Sequence, residues 1–513
     1  MDFYETIGKM INSGSIRDKE SLQREKVILS RKFNLDRVPS DVEILRSGFV
    51  SRDHEKLLRL KPTRTISGVA VVAAMTSPED CPHGRCLYCP GGVSNNSPQA
   101  YTGYEPAALR GRMNNYDPYM ITFNRLKQLE NIGHDTSKVD LIIMGGTFTA
   151  RTEEYQRSFV KGCLDGMNGS VSRSLEESIA INENAARRCI GLTIETKPDW
   201  FLQPQIDLAL SYGTTKVELG AQILDDRILK MNGRGHGVRE IIESTKLAKD
   251  AGLKIVYHIM PGMYGSDRDK DIESFKRLVN DPDFRPDMLK IYPTLVVKGT
   301  ALFNLWKTGH YTPLDTIEAA DLISEFLLMT PPWIRIQRMQ RDIPVGFIEA
   351  GVKRSDIRNI VEEKVKTNGS DVWEIRQREI GFSGGISLPP SPVRRDYEAS
   401  GGHEIFLSYE NGNRIYGYLR LRILRGKVAR PELECGAIVR EIKVLGEVVP
   451  VGLRPDDQWQ HRGLGRKLMA EAETISRDEY GCDGLAVISG IGARNYFRKL
   501  GYERAGPYMC KYF

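Results

Sequence analysis

The chain has 513 residues, more than one ordinary hydrophobic core holds, so roughly two to four domains are expected. Hydrophobic residues make up 40% and charged residues 27% of the chain, which excludes a disordered or collagen-like polymer. Lysine and arginine exceed aspartate and glutamate by 73 − 67 = 6, a mild basic excess that permits binding to a polyanion without identifying one.

Neither a membrane span nor a secretion signal is predicted. The longest apolar runs, such as GVAVVAAM at 68–75, are far shorter than the roughly twenty residues of a bilayer-spanning helix. The start MDFYETIGKM lacks the apolar stretch of a secretion signal. We therefore expect a cytoplasmic protein whose eight cysteines stay reduced and serve metals or catalysis rather than disulfides.

Residues 1–64 form the first predicted unit, with 14 basic and 10 acidic side chains. The basic residues include Arg17, Lys19, Arg24, Lys26, Arg31 and Lys32. Charge alone leaves two interpretations open, a solvated helical face and a module that contacts RNA.

Residues 65–300 alternate between short apolar segments and stretches with helical periodicity, such as REIIESTKLAKDAG at 239–252. The strand-like segments are 68–75, 139–146, 191–197, 216–222, 253–261 and 288–295. Strands joined by helices are normally parallel, so this α/β region is predicted to be a partial (β/α)6 barrel of the TIM type. Chemistry in such barrels sits at the C-terminal ends of the strands, where Gly145, Glu195 and Gln222 occur.

A second domain is predicted over 384–513, beginning near the proline-bearing segment SLPPSPVRRD at 387–396. Three strand-like segments, at 403–410, 414–424 and 435–445, are followed by a helix at 466–480, a strand at 484–489, a short helix near 493–500 and a strand-like tail. This order indicates an antiparallel α+β domain of normal size. Residues 301–383 are predicted to be a linker layer between the two domains.

The segment CPHGRCLYCPGG places Cys81, Cys86 and Cys89 close together directly after the first strand. Three thiolates can ligate a [4Fe–4S] cluster and leave one iron free for a small molecule. The alternative is a tetrahedral zinc site of the three cysteines and His83. A cluster with an open iron suits the mouth of a barrel, where a ligand has room to bind, better than a closed zinc site does.

This cysteine loop, followed by MGGTF at 144–148, resembles the radical S-adenosylmethionine (SAM) enzymes. The resemblance implies that the open iron of the cluster binds the methionine end of SAM, whose reductive cleavage yields a 5′-deoxyadenosyl radical. Gly145 and Gly146 match the glycine pair that helps to hold the methionine amino group. Glu195 and Gln222 are weaker candidates for contacts to cofactor or substrate.

The C-terminal domain carries a Q-x-x-G-x-G pattern, from Gln460 to Gly465, immediately before an amphipathic helix. Glycines there let backbone N–H groups surround a pyrophosphate at a helix N-terminus. The order of elements resembles the GNAT acetyltransferases, which implies that acetyl-CoA is the ligand. The implied binding residues are Glu441, Ile442, Lys443 and Val444 of the fourth strand, with Gln460, Gly463, Leu464, Gly465 and Arg466 of the loop.

Both signatures together resemble the family of the Elongator catalytic subunit, which modifies the wobble uridine of tRNA. The likeness extends along the chain through YTGYEPAALR (101–110), TIETKPD (193–199), QRDIP (340–344) and AVISGIGARNYFRKLGYERAGPYM (486–509). It implies that the adenosyl radical takes a hydrogen from the acetyl-CoA methyl group. The carbon radical then adds to carbon 5 of uridine, and hydrolysis of the thioester leaves 5-carboxymethyluridine.

Several further residue roles follow from this resemblance. Lys138 matches a lysine implicated in acetyl-CoA binding, Lys290 and Tyr292 are candidates for substrate orientation or thioester hydrolysis, and Tyr496 is a candidate for protonating the CoA thiolate. Phe497 stands where the family often has a second tyrosine. The cysteine loop is shorter than in the eukaryotic members of this family, which indicates an archaeal or bacterial source.

The expected partners are tRNA, contacted by residues 1–64, together with acetyl-CoA, an electron donor, and either other Elongator-type subunits or a second copy of the chain. Two rival interpretations remain open. One is a protein lysine acetyltransferase with a structural cluster, and the other is an RNA-binding scaffold with degenerate sites.

Overall fold

A computed structural model describes residues 2–51, 53–58, 68–381, 389–426, 428–445 and 463–513. The N-terminal unit consists of three helices, α1 (Phe3–Asn12), α2 (Lys19–Lys32) and α3 (Asp41–Arg46). Apolar side chains of these helices, including Phe3, Ile7 and Leu29, form a small core of their own. Lys19 and Lys26 both form ion pairs with the single carboxylate of Asp41, so part of the basic charge of this unit is compensated within it.

The barrel is a curled sheet of seven parallel strands in the order β1-β2-β3-β4-β5-β6-β8. Its strands are β1 (Ala70–Met75), β2 (Lys138–Met144), β3 (Arg188–Thr196), β4 (Lys216–Gln222), β5 (Lys254–Ile259), β6 (Met288–Ile291) and β8 (Arg335–Arg338). The six predicted strands are all present. The seventh, β8, arises from the predicted linker layer, where the short sequence WIRIQR gave no strand signal of normal length.

Helices connect and cover the barrel strands. They are α4 (Pro106–Met113), α5 (Pro118–Asn131), α6 (Glu153–Asn168), α7 (Leu175–Asn182), α8 (Gln203–Ser211), α9 (Asp226–Met231), α10 (Val238–Asp250) and α11 (Arg268–Asn280). Helix α10 confirms the predicted periodicity, because Ile241, Thr245 and Ala248 all lie on its buried face. The main hydrophobic core lies between this helical layer and the outer face of the sheet.

The segment after β6 adds a further layer rather than a simple connection. It contains β7 (Val296–Val297), α12 (Ala301–Lys307), α13 (Thr316–Met329), β9 (Ile348–Ala350), α14 (Ile357–Thr367) and α15 (Ile375–Arg378). Strands β7 and β9 pair with each other, and Phe326 of α13 stacks on Phe275 of α11 with ring centroids 4.2 Å apart. Strand β8 itself pairs in parallel with β6 and so extends the edge of the barrel sheet.

The C-terminal domain is a second seven-stranded sheet in the order β10-β11-β12-β13-β14-β16-β15. Its elements are β10 (Ser391–Ala399), β11 (Gly402–Asn411), β12 (Arg414–Ile423), β13 (Ala437–Val444), α16 (Leu464–Thr474), β14 (Gly484–Val487), α17 (Arg494–Arg498), β15 (Glu503–Ala505) and β16 (Tyr508–Tyr512). The predicted elements are present. Strand β10 was not predicted and begins within the proline-bearing segment; Pro392 is tolerated there because β10 is an edge strand.

A buried ion cluster joins the two domains. Arg440 on β13 donates two hydrogen bonds to Asp287, at 2.8 and 2.6 Å, and another to Glu404 on β11 at 2.9 Å. Arg420 on β12 lies 3.5 Å from the same Asp287 carboxylate. Since Asp287 directly precedes β6, this cluster fixes the position of the C-terminal sheet relative to the barrel. None of the described helices is long and apolar enough to cross a membrane.

Candidate active site

The three predicted metal ligands, Cys81, Cys86 and Cys89, lie in the loop after β1 at the C-terminal edge of the barrel sheet. Each sulfur accepts a hydrogen bond. The Thr147 hydroxyl donates to Cys81 at 3.2 Å, the Ala100 backbone N–H to Cys89 at 3.1 Å, and the Arg234 guanidinium to Cys86 at 3.5 Å. Such donors stabilise thiolates and tune iron–sulfur clusters. Burial raises the pKa of Cys89 to about 11, so a bound metal has to displace the thiol proton.

The three sulfurs are not all within 4.8 Å of one another, which favours a cluster over one zinc ion, although Nε2 of His83 lies 3.2 Å from the Cys86 sulfur. In the part of the chain that the structure describes, one group of three ligand atoms lies within 4.8 Å of one another, and it belongs to Glu195, Glu218 and His258 rather than to the cysteines. A tetrahedral zinc ion with bonds of about 2.3 Å holds its sulfurs about 3.8 Å apart. A four-iron cluster attaches each thiolate to a different iron, which suits the wider spacing.

Gly145 and Gly146 follow β2 and lie beside the cysteine loop. Both have positive φ angles, +141° and +86°, which other residues rarely adopt. A Cβ at Gly145 would overlap the Thr76 hydroxyl, and one at Gly146 would lie 3.6 Å from the Cys81 sulfur. The backbone of Gly146 therefore lies close to the cysteine loop, and Gly145 precedes it at the end of β2.

One cavity at the barrel mouth connects these features. It encloses about 1070 Å³ including its open mouth, and it is lined by all three cysteines, Gly146 and the C-terminal ends of β3, β4 and β5. Gln222, at the end of β4, lines the cavity with φ +68° and with its buried Oε1 lacking a hydrogen-bond partner. A strained backbone and an unpaired polar atom at the same residue mark a position shaped for a ligand.

A charged cluster lies deeper in the same cavity and includes two predicted site residues, Glu195 and Lys290. Glu218 on β4 accepts a hydrogen bond from Lys290 on β6 and lies 2.8 Å from Nε2 of His258 on β5. Glu195 at the end of β3 accepts a 2.6 Å hydrogen bond from the Tyr101 hydroxyl. The Tyr292 ring packs edge-on against His258 at 5.3 Å. Parallel strands place these groups side by side although they are far apart in sequence.

The two carboxyl groups of this cluster have opposite pKa shifts. Burial raises the pKa of Glu195, and the neighbouring charge of Glu218 raises it further. Burial acts against ionisation of Glu218 as well, but Lys290 and His258 outweigh it and hold the pKa of Glu218 below its usual value. Two neighbouring carboxyl groups whose pKa values are shifted in opposite directions are suited to different roles in proton transfer.

Several cavity residues were not identified from the sequence. Glu218, His258, Tyr101 and Arg234 are among them, and so is Lys197, whose pKa burial lowers and whose Nζ lies 3.1 Å from Asp199. The available signal was a charged residue at the centre of an apolar strand, as in KVELGAQ and LKIVYHIMP. Such a residue costs free energy in a core unless it is paired or lines a cavity.

The second sheet forms a groove at the predicted acetyl-CoA residues. Strands β13 and β14 pair in parallel through Ile438 and Val439, and beyond this β13 continues to Val444 while β14 ends at Val487. Glu441, Ile442, Lys443 and Val444 therefore pair with β12 on one side, and no ladder partner from β14 is described on the other. An unpaired strand edge is suited to bind the amide groups of a pantetheine arm.

The N-terminus of α16 closes this groove. Gly463 caps the helix with φ +80°, and Leu464, Gly465 and Arg466 form its first turn. A Cβ on Gly465 would lie 3.0 Å from the Tyr496 hydroxyl, 3.7 Å from Val444 and 3.9 Å from Ile442, so the structure brings helix, strand and tyrosine together. Gln460 lies outside the described residues.

The remaining predicted residues have different environments. Phe497 is buried in the core of the second domain, where its ring packs edge-on against Tyr496 with centroids 5.2 Å apart. Lys138 begins β2 and therefore lies at the N-terminal edge of the barrel, the end opposite the cysteines. The second domain is attached near that edge, because Lys254 at the start of β5 donates to the Arg440 carbonyl at 3.5 Å.

The fold and this site define a radical SAM enzyme joined to a GNAT acetyltransferase domain. The radical SAM superfamily matches residues 75–279, the radical SAM C-terminal domain residues 286–367, and the acetyltransferase (GNAT) family residues 371–502. The first domain implies a [4Fe–4S] cluster and SAM, and the second implies acetyl-CoA. The thiols, the glycine pair and the groove described above fit these groups.

Individual relatives cover nearly the whole chain. The tRNA uridine(34) acetyltransferase of Methanocaldococcus jannaschii is 47% identical, over 98% of this chain and 95% of its own length. Human Elongator complex protein 3 is 41% identical, over 96% and 93%. The solved structure of the archaeal Methanocaldococcus infernus Elp3 with an N-terminal deletion has a TM-score of 0.78 and 45% identity, and covers 88% of this chain and 100% of its own. The chain belongs to the family of the tRNA uridine(34) acetyltransferases and Elongator complex protein 3.

Proposed function

We propose that this enzyme attaches a carboxymethyl group, derived from acetyl-CoA, to carbon 5 of the wobble uridine of tRNA. The observation that carries the proposal is the coexistence, in one rigidly joined molecule, of the thiol-lined cavity and a groove for acetyl-CoA. The names of the relatives supply the substrate, since both archaeal proteins are called tRNA uridine(34) acetyltransferases.

The roles of individual residues follow from their positions. Cys81, Cys86 and Cys89 would hold the cluster, which with bound SAM supplies the radical that activates the acetyl methyl group. Gly145 and Gly146 present backbone to the amino-acid end of SAM. The strand edge of Glu441 to Val444 and the first turn of α16 bind the two ends of CoA.

Thioester hydrolysis is assigned to the charged cluster. Ionised Glu218 holds the Lys290 ammonium inside the cavity, and Lys290 presents positive charge to the oxygen of a thioester carbonyl. Glu195, whose pKa is raised by burial and by the charge of Glu218, lies in the same cavity and contacts the cofactor or the substrate. In the second domain, the Tyr496 hydroxyl beside Gly465 is placed to protonate a CoA thiolate.

The partners follow from the same arrangement. The proposed RNA substrate fits the basic surplus of the chain, and the helices of residues 1–64 are proposed to add affinity for tRNA. A reductant has to supply the electron for SAM cleavage. Whether further Elongator-type subunits or a second copy of the chain take part is tested by light scattering of the purified enzyme with and without tRNA.

The proposal is tested by anaerobic reconstitution with iron and sulfide, followed by incubation with tRNA, acetyl-CoA, SAM and a reductant. Nucleoside mass spectrometry is expected to find 5-carboxymethyluridine at position 34, and the C86A variant is expected to form none. Absence of the product with an intact cluster would contradict the proposal. Acetylation of a lysine peptide that survives in the C86A variant would instead support a protein acetyltransferase.

A further inference from the structure

Two aromatic rings lie exposed against each other on the surface next to the cavity. Tyr104 and Phe347 stack with ring centroids 4.1 Å apart and an interplanar angle of 21°. Tyr104 is nevertheless 43% and Phe347 37% exposed, so neither residue is buried in the hydrophobic core. Aromatic side chains are costly to leave in water, and a stacked exposed pair presents flat apolar faces and edges to an incoming partner.

The pair stands on the rim of the cavity that holds the three cysteines. Tyr104 lies between Tyr101 and Glu105, both of which line that cavity. Phe347 belongs to a short helical turn that follows Ile343, another lining residue. Two separate segments of the chain thus each contribute a wall residue to the cavity and a ring to its rim.

An arginine lies beside this pair. The Arg112 guanidinium lies 5.5 Å from the centre of the Tyr104 ring. Among residues with described side chains, no carboxylate lies within 4.0 Å of Arg112 or of Arg341, which lines the cavity wall nearby. The acidic group next to Tyr104, Glu105, is buried, and its oxygens accept hydrogen bonds from the backbone N–H groups of Thr102 and Gly103.

Flat rings beside arginines that lack a carboxylate partner are the combination that binds single-stranded nucleic acid. Bases stack on aromatic faces, and arginine adds attraction to phosphate and to the ring faces. A protein partner of apolar character would meet the desolvation cost of these arginines, whereas RNA supplies the phosphates that neutralise them. A nucleoside that enters the cavity has to leave the base stack, and its neighbour in the loop then needs a new stacking partner.

We propose that Tyr104 and Phe347, with Arg112, form a platform that stacks an unpaired base of the tRNA anticodon loop next to the uridine held in the cavity. This inference rests on the proposed function for the identity of the RNA. The platform replaces the stacking that the loop loses when the uridine turns inward, and Arg112 contacts a phosphate of the same loop. The contribution of one stacked base corresponds to about 5- to 150-fold in affinity.

The test uses the full-length, cluster-reconstituted enzyme and an anticodon stem-loop RNA, with binding followed by fluorescence anisotropy. The Y104A and F347A variants are expected to weaken binding within that range, whereas Y104F, which keeps the ring, stays within about twofold of wild type. Y480A is the matched control, because Tyr480 is a tyrosine of similar exposure (37%) in the second domain. R112Q is expected to make the slope of log affinity against log salt concentration shallower by about one, which corresponds to the loss of one phosphate contact.

Two further measurements make the result specific to the loop. A hairpin with the same stem and a tight tetraloop is expected to bind all variants alike. In wild type, 2-aminopurine placed beside position 34 is expected to lose fluorescence on binding, and this quenching does not depend on whether any variant folds. Unchanged loop affinity in folded Y104A and F347A, or no quenching at any loop position, would overturn the platform. A change of oligomeric state in Y104A, measured by light scattering, would also overturn it and assign the rings to self-association.

These outcomes are separable from those of the proposed function, because binding is measured without chemistry. Weakened loop binding in an enzyme that makes no modified uridine would uphold the platform and reject the reaction. Wild-type modification with unchanged KM in Y104A would uphold the reaction and reject the platform. SAM cleavage in the absence of RNA is expected to be the same in wild type and in the Y480A control.

Discussion

Replacing Glu218 by glutamine tests whether the charged cluster is organised as the structure indicates. Glu218 is fully buried on β4 and is paired with both Lys290 and His258. The E218Q variant keeps the shape of the side chain but leaves the Lys290 ammonium without its main counter-charge. Loss of one partner from a buried ion pair costs about 3–5 kcal/mol, so the free energy of unfolding should fall by about that amount at pH 7.

Glu195 provides a matched control in the same cavity. Because burial and Glu218 raise its pKa, the wild-type side chain already tends towards the neutral form, and E195Q should cost less than about 1 kcal/mol. The double variant E195Q/E218Q should lose more stability than the sum of the two single losses. In E218Q, Glu195 can still ionise and partly replace the lost charge, whereas in the double variant it cannot.

The pH dependence of the two carboxyl groups has opposite signs. The lowered pKa of Glu218 contributes stability that is present above the unfolded value of about 4.3 and is lost as the pH falls towards the folded value. The raised pKa of Glu195 contributes stability that is present below that unfolded value and is lost as the pH rises through the folded pKa. The deficit of E218Q should therefore shrink in acid, whereas E195Q should become relatively more stable as the pH rises.

The assay is urea unfolding of the anaerobic holoenzyme at several pH values, followed by tryptophan fluorescence, with thioester hydrolysis measured on the same samples. Equal losses for E218Q and E195Q at pH 7, or an additive double variant, would refute the reasoning. Either result would show that Glu218 is not the group that compensates the buried charge of Lys290.

Three further changes test other parts of the molecule. C86A should lose cluster iron and visible absorbance but keep acetyl-CoA binding. C482A changes a cysteine remote from the cluster loop and should keep the cluster as well as acetyl-CoA binding. Iron retention in C86A would contradict the ligand assignment. G145A should weaken SAM binding in equilibrium dialysis and cost about 1–3 kcal/mol from its backbone angle alone, and unchanged binding would separate this glycine from the SAM site. D287N should leave Arg440 poorly compensated, cost about 3–5 kcal/mol and increase proteolysis between the domains; proteolysis at the wild-type rate would argue against the ion cluster as the joint.

Local patterns in the sequence were sufficient for much of the architecture. Six barrel strands, helix α10 and the order of elements in the second domain were predicted, because hydrophobic periodicity and glycine-rich turns are properties of short segments. The cysteine spacing and the family resemblance led to the cofactors for the same reason, since the ligands lie within nine consecutive residues. Strand β8 was missed because four residues carry too little periodicity, and β10 because its proline is acceptable only at an edge that the sheet order reveals.

The sequence by itself determined which segments become strands and helices, and that three thiols and a glycine pair stand at the ends of two of them. Only the tertiary structure decided what surrounds them. Glu195, Glu218, His258 and Lys290 come from four different strands and meet because parallel pairing aligns those strands in register. Their opposite pKa shifts arise from burial and from distances of a few ångströms, and neither quantity is a property of any single segment.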